Sequence, residues 1–239
     1  MQKKDATIKE ESDEPRDKTI LVVCAHSDDQ VIGPGGAMAK FAREGYNIQT
    51  IIFSYGEFSH PHMKRSYIAK VRVDESRQAD KIIGGRGVMF LGLKDGSLKE
   101  DYHKKKMKKK LGDLFLKFSP EMIFTHSRDD ILPDHRFVRE CVLDIYDGLH
   151  SKKELSCDVY SFDVWNIWNM LKRDKPQLIV DISKTFHYKT KALSEFKSQI
   201  NFFSHTFFVN ILFISVYVKA YINGLSHGFK KAEVYYKLR

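Results

Sequence analysis

Apolar runs of strand length alternate along the chain with longer stretches of helical spacing. Thr19 to Ala25 (TILVVCA) is a continuous apolar run ending at a polar cluster, as expected of a strand buried on both faces. Ile48 to Ser54, Val88 to Leu93 and Glu121 to His126 repeat that pattern, and Val159 to Trp165 and Gln177 to Ile182 supply two later strands. Between them the spacing predicts helices over Gly35–Glu44, stopped by Gly45, and Arg65–Ile83, ended by Gly84-Gly85. Further helices are predicted over Tyr102–Phe118, His135–Leu149 and from about Lys184. Strand alternating with helix implies an α/β fold, its mostly parallel sheet crossed right-handedly and covered by helices on both faces. The C-terminal third is more irregular. No internal repeat or Pro- or Ser-rich linker divides the chain, so 19–239 reads as a single domain. Residues 1–18 are dense in Lys, Glu and Asp without an apolar stretch, which predicts a disordered charged arm rather than a targeting segment.

Composition narrows the class. In 239 residues, 42% apolar and 30% charged side chains exclude collagenous, wholly disordered and polytopic membrane chains. A net charge of +9 leans toward anionic partners without identifying one. Cys24, Cys141 and Cys157 show no CxxC spacing and read as reduced thiols of a cytoplasmic protein. Ser198 to Val218 carries no charge and is long enough by count to span a bilayer, for which about 20 residues suffice. Polar residues such as Gln199, Asn201, His205 and Asn210 interrupt it, so it reads as a buried or subunit-interface helix. The run Lys104 to Lys110 reads as a solvated helix face, with an anionic glycan carrier or a membrane surface as the alternative partner. No aromatic platform or recognised module accompanies it, so no nucleic-acid partner is expected.

In such sheets ligands bind beyond the carboxyl ends of the strands. The first strand runs into His26-Ser27-Asp28-Asp29-Gln30, and the fourth into His126-Ser127-Arg128-Asp129-Asp130, with Pro133-Asp134-His135 a few residues on. A loop can bring His26 and Asp29 to one point, and a histidine opening the next helix can meet them across the crevice. Two imidazoles and a carboxylate with a position left for water suit a catalytic zinc. Asp28 would then stand near that water as a base. The alternative for the first cluster is a polar turn with an aspartate capping a helix. Gly33, Gly35 and Gly36 lack GxGxxG order and follow two acidic residues, which argues against a dinucleotide site. Trp165 and Trp168 read either as a sugar-binding wall or as core.

The segment His26 to Gln30 resembles the AHPDDE signature of the PIG-L/LmbE-like N-deacetylases. Phe53-Ser54-Tyr55-Gly56-Glu57 is similar to the family's second-strand ending. Arg72 to Glu75, Gly84 and Phe90 to Gly96 (FLGLKDG) follow its RxxE, LG and FLGxxDG pattern in order, and Pro133-Asp134-His135 matches the end of its HPDH motif. Asp181-Ile182-Ser183, Lys191 to Leu193 with Gln199, and Ala232 to Tyr235 resemble its later segments, so the likeness runs from about Thr19 to Tyr236. It implies a Rossmann-like fold and one zinc ion per chain bound by His26, Asp29 and His135. Asp28 would be the general base. Arg72 and Glu57 would contact substrate, and Asp134 would support the metal ligands from behind. The implied reaction removes acetyl from an N-acetylglucosamine-type amino sugar or conjugate. A homo-oligomer is also implied, and the apolar C-terminal segment would suit its contact.

Three positions depart from the family pattern. Ser27 replaces a proline, which loosens the loop, and Gln30 replaces a glutamate, which removes a charge near the metal. Leu132 stands where the family commonly has the first histidine of HPDH, a group that protonates the leaving amine. His60 and His62 are the first candidates to replace that acid, with His126, His205 and His227 behind them.

Overall fold

The computed structural model describes residues 18–59, 63–166, 178–200 and 206–239. In chain order the described strands are β1 (Thr19–Cys24), β2 (Asn47–Ser54), β3 (Val88–Leu93), β4 (Met122–His126), β5 (Asp158–Phe162), β6 (Leu178–Asp181) and β7 (Ala232–Lys237). The first helices are α1 (Asp29–Ile32), α2 (Gly35–Arg43), α3 (Arg65–Ile83), α4 (Leu98–Lys104) and α5 (Met107–Phe118). They are followed by α6 (Pro133–Ser151), α7 (Phe186–Leu193), α8 (Lys197–Ile200) and α9 (Thr206–Ser226). The strands form one sheet ordered β3-β2-β1-β4-β5-β7-β6. The first five are parallel to one another, and β7 enters antiparallel between β5 and β6. This is the α/β arrangement that the alternation predicts.

The alternation of side chains along β1 explains why both faces are covered. Ile20, Val22 and Cys24 join a core with residues of α2, α3, α7 and α9. Leu21, Val23 and the following Ala25 join a second core with α4, α5 and α6. Successive side chains of a strand point to opposite faces, so an unbroken apolar run needs a layer on each side. After β1 the chain winds outward through β2 to β3, then returns to the other side of β1 with β4. That reversal opens a crevice at the carboxyl ends of β1 and β4.

The single basic helix expected over Tyr102–Phe118 is two helices. Leu98 and Tyr102 bury one stripe on α4, while Met107, Leu111, Leu114 and Phe115 bury another on α5. Tyr102 and Met107 are five apart and would point in different directions on one continuous helix. Lys106 absorbs the phase shift in the left-handed region, at φ 51°. The lysines of this run are exposed, with Lys105 paired to Asp101 at 2.7 Å and Lys108 to Asp144 at 2.6 Å. The strand expected to run to Trp165 ends at Phe162, and Trp165 packs half-buried on the first core. Trp168 and the charged arm up to residue 17 lie outside the described residues, as does Gln177.

A buried polar clasp ties the C-terminal strand to the first helices. Glu233 of β7 accepts hydrogen bonds from the backbone N–H of Gly36 (3.1 Å) and Ala37 (2.7 Å) at the start of α2. Lys189 reaches the same carboxylate at 2.5 Å and also donates to the Gly33 carbonyl at 2.8 Å. The Tyr235 hydroxyl completes the set, 2.6 Å from Glu233 Oε2. The glycines of this turn serve close packing, since a Cβ on Gly33 would enter the Phe162 ring and one on Gly36 would crowd Glu233 and Ile182.

Removing one partner of a buried ion pair leaves the other charge uncompensated, so Glu233→Ala should lower unfolding free energy by about 3–5 kcal/mol. Tyr235→Phe should cost about 1 kcal/mol, and urea unfolding measures both. Asp80, on α3, supplies a pH test. Its Oδ1 is buried without a hydrogen-bond partner, and burial pushes its carboxyl up to about 7 despite a hydrogen bond from the Gly87 backbone. A raised carboxyl means the folded state retains a proton that the unfolded state releases. Stability attributable to Asp80 should therefore fall as pH rises from about 4 to about 7 and then level off. Asp80→Asn should raise the melting temperature at pH above 7 and flatten that slope, as thermal unfolding across pH will show.

Candidate metal centre

The carboxyl end of β1 and the first turn of α6 converge in the crevice. Pro133 opens α6 at a position where its missing N–H costs nothing, and His135, two residues on within the first turn, is fully buried. His26 Nδ1 lies 3.1 Å from His135 Nε2. Asp29 Oδ1 lies 3.4 Å from His135 Nε2, and Asp29 Oδ2 lies 3.5 Å from His26 Nδ1. A tetrahedron drawn around zinc with bonds of 2.0–2.1 Å has edges of about 3.3 Å. With either Asp29 oxygen, the donor groups of the three residues are close enough to share one cation.

Each ligand candidate is oriented by a carboxylate or an amide. Asp29 turns back to accept the N–H of His26 at 2.8 Å. His135 Nδ1 stands 3.0 Å from Asp130 Oδ1, and His26 Nε2 stands 3.3 Å from Asp95 Oδ1 and 3.7 Å from Asp134 Oδ2. Asp130 is itself held by the N–H groups of Leu132, Val164 and Trp165. Burial would push the Asp29 carboxyl up, but His135, His126 and His26 outweigh it and hold it well below the usual range. For His26, burial works against the charge while Asp134, Asp29 and Asp95 raise its imidazole well above the usual range. Asp130 is pulled down to about 2, its burial overcome by His135. Carboxylates thus crowd around the crevice, a field that suits a cation.

Asp28 lies between His26 and Asp29 in the chain, half-buried, and makes no side-chain cap on α1. Its Oδ1 lies 3.3 Å from Arg72 Nη2. Arg72 is 2% exposed and also donates from Nε to Ser27 Oγ at 2.8 Å, so it holds the loop rather than facing open solvent. Ser27 thereby does more than relax a proline turn. Gln30 joins it, donating from Nε2 to the Ser27 carbonyl and to Ser76 Oγ, both at 2.9 Å. Glu57 accepts the N–H of Asp95 at 3.2 Å and so braces the carboxylate beside His26.

The remaining histidines separate clearly. His126 is fully buried under the centre, stacked on His135 at 3.9 Å, and its Nε2 accepts the Ala25 N–H at 3.0 Å. Burial and the neighbouring His135 lower it to about 4. His227 is held near the end of α9, with Nδ1 2.8 Å from the Asn223 carbonyl. His60, His62 and His205 lie outside the described residues. Asp130 and Asp95 stand in the strand-end segments that carry the other clusters, but nothing in their spacing marks a role for either.

Comparison with known proteins follows the same lines. The chain is 31% identical over 120 residues to 4-oxalmesaconate hydratase of Pseudomonas putida, a match covering 47% of this chain and 45% of that curated relative. Among solved structures it is similar to the 4-carboxy-2-hydroxymuconate hydratase GalB of Pseudomonas putida KT2440. The TM-score is 0.78 at 21% identity, over 93% of this chain and 96% of that one. It is also similar to the N,N'-diacetylchitobiose deacetylase of Pyrococcus horikoshii, with a TM-score of 0.75 at 20% identity over 92% and 84% of the two chains. At these identities the two structural likenesses speak for the fold. The profile of PIG-L, the GlcNAc-PI de-N-acetylases, matches residues 21–146, more than half of the sequence, and the chain belongs to that family.

Proposed function

We propose that the chain hydrolyses the acetamido group of an N-acetylglucosamine-type amino sugar or conjugate, using one zinc ion held by His26, Asp29 and His135. The observation that carries this reading is Asp28, a half-buried carboxylate beside the donor set, uncommitted to helix capping and steered by Arg72. Zinc, when bound, lowers the pKa of water from about 15.7 to about 7 and polarises a carbonyl. Asp28 accepts the proton of the attacking water, and Arg72 positions Asp28 through its guanidinium. Asp130 fixes the ring of His135 so that Nε2 faces Asp29, and Asp95 with Asp134 does the same for His26. Leu132 carries no proton for the leaving amine. His60 and His62, a few residues after Glu57 in the sequence, are the candidates to deliver it.

A second reading rests on Leu132 together with the partial match to a hydratase. Addition of water to an unsaturated acid expels no amine, so it does not need the acid that Leu132 lacks.

Acetate release from N-acetylglucosamine conjugates tests the main reading. Turnover should stop under chelation and return with zinc. Asp28→Asn should lower kcat by about 10²–10⁴-fold while metal content, read by elemental analysis, stays at wild-type level. No acetate from any such conjugate, with hydration of 4-oxalmesaconate instead, would establish the second reading. Asp130→Ala should weaken metal affinity by about 10–100-fold in competition with a chromophoric chelator.

A further inference from the structure

Helix α9 is apolar on two sides. Leu212, Val216 and Ala220 are buried against the sheet. On the other side Ile214, Tyr217, Val218, Tyr221, Ile222 and Leu225 recur at helical spacing and face solvent, Leu225 at 77% exposure. Phe229 extends this strip just past the helix end. Exposed apolar residues scattered singly are ordinary, whereas a continuous strip marks a contact surface.

The strip is one-sided in charge. From Phe196 to Ala232 the chain has no Asp or Glu, but it has Lys197 and Lys230 exposed and Lys231 partly so, while the Lys219 ammonium is buried on the inner side. Lys231 Nζ stands 4.5 Å from the centre of the Tyr221 ring and 5.2 Å from that of Phe186, so positive charge lies directly on the aromatic surface. Aromatic rings beside lysines, above an apolar helix face, are what settles at the headgroup level of a bilayer. The placement is also favourable. β7 leaves this end of α9 antiparallel to β5, with Ser161 opposite Tyr236, so the turn from Phe229 to Lys231 lies at the sheet edge where β1 and β4 also end.

We propose that α9 and the turn after it bind the surface of an anionic phospholipid bilayer, the helix lying in the membrane plane with its exposed strip toward the acyl chains. A second copy of the chain fits less well. It would bring the same lysines together with no carboxylate between Phe196 and Ala232 to face them, whereas anionic headgroups complement them. The net charge of +9 acts in the same direction. Among the described residues no helix is long and apolar enough to cross a membrane, so the contact is with the surface. This inference is independent of the reaction proposed above.

Flotation of the full chain with phosphatidylcholine vesicles, with and without phosphatidylserine, tests it. The protein should float with the phosphatidylserine vesicles and lose that association as salt rises. Tyr221→Glu/Leu225→Glu should abolish it, and Lys230→Glu/Lys231→Glu should weaken it by about fivefold or more per lysine. Matching thermal unfolding midpoints will show that the variants fold. As an independent readout, Leu225→Trp fluorescence should be quenched by brominated lipid in the anionic vesicles. No flotation with phosphatidylserine, no quenching, or flotation indifferent to both double variants would overturn the proposal. A dimer in solution that Leu225→Glu dissociates, without vesicle binding, would overturn it in favour of a second copy.

Discussion

Asp29 is a carboxylate with 2% exposure, enclosed by the rings of His26, His126 and His135, and the arrangement of the centre follows from that confinement. A buried carboxylate is tolerated only when hydrogen-bonded and paired. Asp29 meets both conditions through the His26 N–H and the surrounding imidazoles. Two of those imidazoles face further carboxylates in turn, His135 toward Asp130 and His26 toward Asp95 and Asp134. Negative charge therefore accumulates outward from Asp29. The crossing of the chain at β1 makes this possible, because only there do the loops after β1 and β4 open toward each other.

The main sheet was legible because its strands are buried on both faces. The unbroken apolar run of β1 admits no other reading, and the Gly84-Gly85 stop of α3 is a left-handed cap with φ 90° at Gly84. The break between α4 and α5 was hidden by its lysines, whose exposure says nothing about which flanking residues turn inward. The insertion of β7 between β5 and β6 was equally hidden. A short strand with Glu233 in it carries no signal for an antiparallel neighbour on each side, and its partner contacts come from residues far away in sequence.

At the centre, the types and spacing of His26, Asp29 and His135 were legible, since strand ends are few and each carries its own cluster. What surrounds them was not. Which ring nitrogen turns toward Asp29 and which toward another carboxylate depends on side-chain rotation, so Asp130 and Asp95 emerged only from the fold. The departures from the family pattern read differently in three dimensions. Ser27 and Gln30 form one hydrogen-bonded unit with Arg72 and Ser76, and a proline at 27 would lack the hydroxyl that meets Arg72 Nε. Two changes that look independent along the chain are physically coupled.

The clasp at Glu233 has a consequence for the order in which the molecule matures on the ribosome. The five parallel strands and the donor residues of the centre all emerge long before Glu233 does. The amide of Gly36 must wait 197 residues for its acceptor, and that of Ala37 196. Until then the glycine turn behind Asp29 has only the contacts of Thr185 and Lys189 to its carbonyls. Synthesis of β7 thus completes the set of hydrogen bonds behind Asp29.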